Sequence, residues 1–211
     1  MAAAAFPTGI GKMTEIQVYM KRMYAPSDFF RLLSDMVLNL KDMREAGKAG
    51  RVDKEFSERI MMAVTEVNGC RYCSYFHTQV ALQSGMQKSE IDQILEGEFK
   101  DVPREEITAL YFAQHYADSG GKPNSDAVQS MRDSYGKAMT KDILAYIRAI
   151  MIGNAWGNMF DALRMRFKGN PSSETSLMDE LGVVFGIFWM IPVLFIKNIF
   201  NNLSRAAEAV K

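Results

Sequence analysis

DKEFSERIMMAVTEVNGCRYCSYFHTQVALQSG, residues 53–85, is the stretch that decides the fold. Asp53 is suited to cap a helix carrying Phe56, Ile60, Met61, Val64 and Val67, which ends near Asn68-Gly69. A second helix starts at about Cys70 and runs to Gly85. Both cysteines of the chain and one of its two histidines fall within Cys70-Arg71-Tyr72-Cys73-Ser74-Tyr75-Phe76-His77. On a helix Cys70 and Cys73 are i,i+3 neighbours, and Cys73 and His77 are i,i+4 neighbours, so the three side chains share one face. There a base can take a proton from one thiol while a second thiol closes a disulfide. A helix beginning near Cys70 also puts the pair in its first turn, where free N–H groups and the dipole lower a thiol pKa.

Outward from this pair the helical pattern continues. Upstream, Ser27 is a candidate N-cap for a helix with the stripe Leu32, Leu33, Met36, Val37 and Leu40. Downstream, Ser89 to Asp92 suggests the capping of a short helix ending at Gly97, and Pro103 suits the first turn of a helix reaching Asp118. Ser119 to Asn124 is a loop, a further helix spans Asp126 to Tyr135 and stops at Gly136, and Thr140 caps a long helix from Lys141 to Phe167. No strand pattern occurs, and the expected class is all-α. The expected organisation is a loose segment 1–12, a helical domain 13–169 and an apolar helical C-terminal extension 170–211.

That extension contains Leu181 to Ile196, which carries no charge and is apolar all round. Such a helix has to be buried in protein or in lipid. Its sixteen residues fall short of a spanning helix, and Pro192 interrupts them. Burial against protein, and membrane contact through 181–203, are the two expectations.

Twenty-five Lys and Arg balance 25 Asp and Glu, which leaves no basic footprint for nucleic acid. The N-terminus has no basic region followed by a long apolar run, so a cytoplasmic location is expected, with peripheral membrane association as an addition. A CxxC in that setting points to catalysis or metal binding more than to a structural staple. Glu66 and Glu58 are both candidates to orient His77. Two competing readings are a metal site of Cys70, Cys73 and His77 with His115 or Glu58, and a pair of inert core thiols. His115 itself, in an apolar helical face, reads as a hydrogen-bonded core or interface histidine.

Glu58, the run Cys70 to His77, and Ala81-Leu-Gln-Ser-Gly85-Met together resemble the alkylhydroperoxidase D-like branch of the carboxymuconolactone decarboxylase family. That pattern has a Glu twelve residues before a C-x-x-C-x-x-x-H, as Glu58 stands to Cys70, and this favours Glu58 over Glu66. The resemblance covers about residues 53–96 and extends more loosely over 103–165. It implies an all-helical subunit forming a trimer or hexamer, and a thiol peroxidase or disulfide oxidoreductase. Glu58, acting through water, polarises His77. His77 deprotonates Cys73, Cys73 attacks a peroxide, and Cys70 resolves the product to a Cys70–Cys73 disulfide. No bound cofactor is implied; an external dithiol or thioredoxin-like reductant recycles the pair. The sequence departs from the founding pattern between the cysteines, where a second histidine is replaced by Arg71 and Tyr72, making Tyr72 a candidate to assist the relay. The alternative is a redox-responsive or membrane-attached assembly module without fast turnover.

Overall fold

The computed structural model describes residues 21–209, so the loose segment expected over 1–12 lies outside the described residues. Among the described residues there are eight helices and no strand, which agrees with the all-α expectation. In chain order they are α1 Pro26–Leu38, α2 Leu40–Ala49, α3 Lys54–Asn68, α4 Arg71–Ser84, α5 Lys88–Leu95, α6 Ile107–Asp118, α7 Ser125–Phe167 and α8 Leu177–Ala209.

Helix α3 is the centre of the packing and touches α4, α5, α6 and α7. Its start follows the sequence, with the Asp53 carboxylate accepting the Phe56 N–H at 2.8 Å. Its end does too, because Gly69 takes the left-handed conformation (φ 66°) and donates to Thr65 O at 2.8 Å. Ile60, Met62, Ala63 and Val64 are buried completely and meet Leu110 of α6 and Ile143, Ile147 and Met151 of α7 in one core.

Buried charge on α3 fixes its neighbours as firmly as the apolar core does. Arg59 is 6% exposed and serves three acids, Glu90 of α5 at 2.6 Å, Glu106 at 3.1 Å and Glu55 at 3.2 Å. One guanidinium shared three ways does not fully offset the desolvation of Glu106. Burial therefore pushes the Glu106 carboxyl up to about 7, against the attraction of Arg59.

Four local expectations are corrected. Ala25, not Ser27, is the N-cap of α1, because Pro26 fits N1 with its fixed φ. Ser89 lies inside α5, whose N-cap is Gln87. Pro103 stands in a separate turn before α6, where Glu106 N–H donates to Pro103 O at 2.9 Å. Thr140 does not cap a helix; its hydroxyl donates to Met131 O at 3.0 Å, across the bend that Gly136 (φ 67°, ψ 169°) puts in α7. The break expected at Gly136 is thus a kink between two helical pieces of α7.

Helix α8 runs through Pro192 without ending, and Leu177–Lys197 is 21 residues long with a mean hydropathy of 1.9. Its start is locked by Glu180, fully buried, which accepts from Arg166 at 2.7 and 2.8 Å and from Thr175 at 2.7 Å. Gly182 rests on Pro26 and Gly186 on the ring of Phe30, where a Cβ would lie 2.6 Å from Phe30 Cζ.

The raised Glu106 gives a pH-dependent stability. Its folded pKa of about 7 exceeds the ordinary 4.5, so between these values the folded state holds more proton and stability falls as pH rises. Glu106→Gln should remove this slope. Urea unfolding at pH 5 and pH 8 checks it, and the variant should gain on the wild type at the higher pH.

Candidate active site

Helices α3 and α4 form a hairpin closed by Gly69 and Cys70. Glu58 sits on α3 and is 1% exposed; His77 sits two turns into α4 and is 9% exposed. His77 Nδ1 meets Glu58 Oε2 at 2.7 Å, and Glu58 Oε1 accepts from Lys54 Nζ at 2.7 Å. The contact is direct, so the water expected between them is not needed. Burial alone would raise the Glu58 carboxyl, but the hydrogen bonds from His77 and Lys54 outweigh it and hold it below the usual range. Glu66, the other candidate, accepts from Gln114 at 3.1 Å instead.

Cys70 is the N-cap of α4, and its Sγ accepts the Cys73 N–H at 3.4 Å. Both cysteines are free thiols, Cys70 with no exposure and Cys73 half-buried. They are hydrogen-bonded to each other, and this shifts them in opposite directions. The Cys70 thiol is lowered by the Cys73 thiol, against burial, with help from the Cys73 and Tyr72 N–H groups and the charge of Lys21. The Cys73 thiol is raised by its bond to Cys70, by burial and by the Cys70 charge. The first proton is therefore far easier to remove from the pair than the second. The lowered pKa of a first-turn thiol belongs to Cys70, whereas access belongs to Cys73.

Across the thiols lies α7. Ile150, Gly153, Gly157 and Phe160 follow helical spacing along one face of it. With Trp156, Tyr72, Cys73, Phe76 and His77 they line a pocket of about 380 Å3. Trp156 stacks on Phe160 with centroids 5.2 Å apart and planes 9° from parallel. Gly157 is required by closeness, since a Cβ there would lie 2.8 Å from Cys70 Sγ and 3.7 Å from Cys73 Sγ.

Residues 35–113 match the carboxymuconolactone decarboxylase family. No curated protein and no solved structure matches the chain. Glu58, Cys70, Cys73 and His77 all lie within the family segment, while the α7 wall of the pocket and the whole of α8 lie beyond it.

Tyr72 does not reach toward the thiols with its hydroxyl. It donates to Asp161 Oδ1 at 2.9 Å, and Asp161 also pairs with Lys21 and Arg71. Burial would raise the Asp161 carboxyl, but Lys21, Tyr72 and Arg71 together keep it lowered. Arg71 is thereby tied to Asp161, and Lys21 is the cation that lowers Cys70. Asp161 and Gly157 were missed in the sequence as functional positions. The small pair Gly153 and Gly157 at i,i+4 was a usable signal for a close approach; nothing in the sequence linked Asp161 to Tyr72 or Lys21.

His115 is apart from this site and half-buried, with Nε2 accepting the Asn124 N–H at 3.3 Å. Among the described residues no group of three or more His, Cys, Asp and Glu side chains is arranged to hold a metal ion.

Gly157→Ala should lower the stability of the reduced protein by about 1–3 kcal/mol through overpacking against the buried sulfur. Gly153→Ala, whose Cβ would meet only Ile150 Cδ1 at 3.8 Å, should leave stability nearly unchanged. Urea titration of the two variants beside the wild type reads the difference.

Proposed function

We propose that the chain is a thiol-dependent peroxidase and disulfide oxidoreductase of the alkylhydroperoxidase D-like type. The observation that carries this reading is that Cys73 and His77 line one pocket while Cys70 lies behind Cys73, out of solvent. Membership of residues 35–113 in a family that includes such enzymes supports it.

The carboxylate of Glu58 on His77 Nδ1 favours the tautomer with a free Nε2, which can act as base. His77 takes the first proton from the thiol pair. The proton that remains on Cys73 passes to Cys70 as Cys73 attacks, so the charge develops at the sulfur that faces the pocket. Cys73 attacks one peroxide oxygen, the O–O bond breaks, and the alkoxide leaves with the proton from His77 as an alcohol. Cys73 is now a sulfenic acid. Cys70, with its lowered thiol, gives up its proton and attacks the Cys73 sulfur; the S–O bond breaks, water leaves, and the Cys70–Cys73 disulfide forms. An external dithiol, small or carried by a thioredoxin-like protein, returns two electrons and two protons. Peroxide and two thiols thus yield alcohol, water and disulfide. In this reading the subunit works in a trimer or hexamer, without a bound cofactor.

Peroxide consumption with dithiothreitol as donor tests the assignment. Cys73→Ser should abolish turnover, and equal consumption by wild type and Cys73→Ser would refute it. Cys70→Ser should stall after one equivalent with a sulfenic acid that dimedone labels. Tyr72→Phe should keep most of the wild-type rate, because its hydroxyl serves Asp161.

A further inference from the structure

The strongest feature outside the dithiol site is the outer face of α8. Val183 and Leu194 are buried against the domain, and Ile187 and Met190 pack on the same side. On the opposite side Phe185, Phe188, Trp189, Phe195 and Ile196 are exposed, Phe188 by 69% and Trp189 by 79%. Met178, one face-repeat earlier, is 75% exposed. Only 22% of the apolar window is buried, so α8 is not a core helix.

We infer that this face is a lipid-contacting surface, on which the domain rests with α8 lying in the plane of a membrane interface. Three observations favour lipid over a protein partner. A protein interface carries roughly one hydrogen bond per 100–200 Å2 and a polar rim. From Phe185 to Ile196 the exposed face offers a single side-chain polar group, the Trp189 indole, a poverty that suits lipid. The polar counterpart of an interfacial helix is supplied by the domain itself, to which Glu180 and Arg166 clamp the start of α8. This lateral docking along Pro26 and Phe30 also means that α8 lies on the membrane instead of crossing it, since a crossing helix would have to leave them.

The third observation is continuity with the pocket. Trp156, which lines the pocket beside Cys73, donates its indole N–H to Val184 O of α8 at 3.2 Å. Phe188 follows Val184 by one turn on α8. Trp156 thus joins the pocket wall to α8 one turn from its exposed face, and peroxides dissolved in the bilayer are the class this surface brings to Cys73. That last consequence rests on the dithiol peroxidase reading; the lipid contact does not.

Flotation of the full chain with phosphatidylcholine vesicles, with and without phosphatidylglycerol, tests the inference. The wild type should rise with the vesicles. Phe188→Glu with Trp189→Glu, both at exposed positions, should keep its circular dichroism and thiol titration while floating about tenfold less. A wild type that stays in the dense fraction overturns the inference. So does a wild type that forms a discrete oligomer dispersed by the double substitution, because a second copy then covers the face. Flotation reads no catalysis, so a protein that floats yet consumes no peroxide would keep the lipid surface and refute only the peroxidase assignment.

Discussion

A helix buried on all sides has to find partners for every charge it carries, and α3 carries two charged residues at its centre. Glu58 and Arg59 are adjacent in sequence and point to different neighbours. Arg59 gathers Glu55, Glu90 and Glu106 and so ties α5 and the turn before α6 to the core. Glu58 takes Lys54 from its own helix and His77 from α4. Leaving either unpaired would cost several kcal/mol, so the placement of four segments follows from one requirement. His77, which lines the pocket with Cys73, is fixed by the same requirement. The contact that partners the buried Glu58 carboxylate also orients the His77 ring.

The two thiols show how acidity and access separate. Cys70 is lowered by the Cys73 thiol, by the Cys73 and Tyr72 N–H groups and by the charge of Lys21, against its burial, but it is sealed under Gly157. Cys73 faces the pocket and depends on its neighbour for charge. The division suits a pair in which one sulfur meets the substrate and the other meets only its partner. Asp161 completes the frame by binding the Tyr72 hydroxyl, Arg71 and Lys21 together.

Local signals were legible where a residue acts on its own backbone. Asp53 at the N-cap and Gly69 and Gly85 at the helix ends are as the chain reads, while the stop expected at Gly136 is a kink. Ser27, Ser89 and Thr140 misled, because a hydroxyl can cap a helix only if no neighbour starts the helix first, and Pro26, Lys88 and Gly136 did so. Pro103 misled in the same way, by shaping a turn that precedes the helix.

The sequence by itself determined the helical class and the CxxC face with His77, since both depend on spacing within one or two adjacent helices, whereas spacing left Glu58 and Glu66 open and only the family resemblance favoured Glu58. Only the tertiary structure decided which thiol is acidic and which is reachable, where the Tyr72 hydroxyl goes, and which side of α8 is left bare. The reach of the thiols, the Tyr72 hydroxyl and the bare side of α8 are set by contacts between segments about ninety or more residues apart, such as Tyr72 with Asp161 and Phe30 with Gly186, while the acidity of Cys70 rests on Cys73 beside it and on Lys21. A periodic pattern shows that a helix has an apolar face, and here α8 is apolar on all of them. Which face stays exposed is decided by what packs against the others.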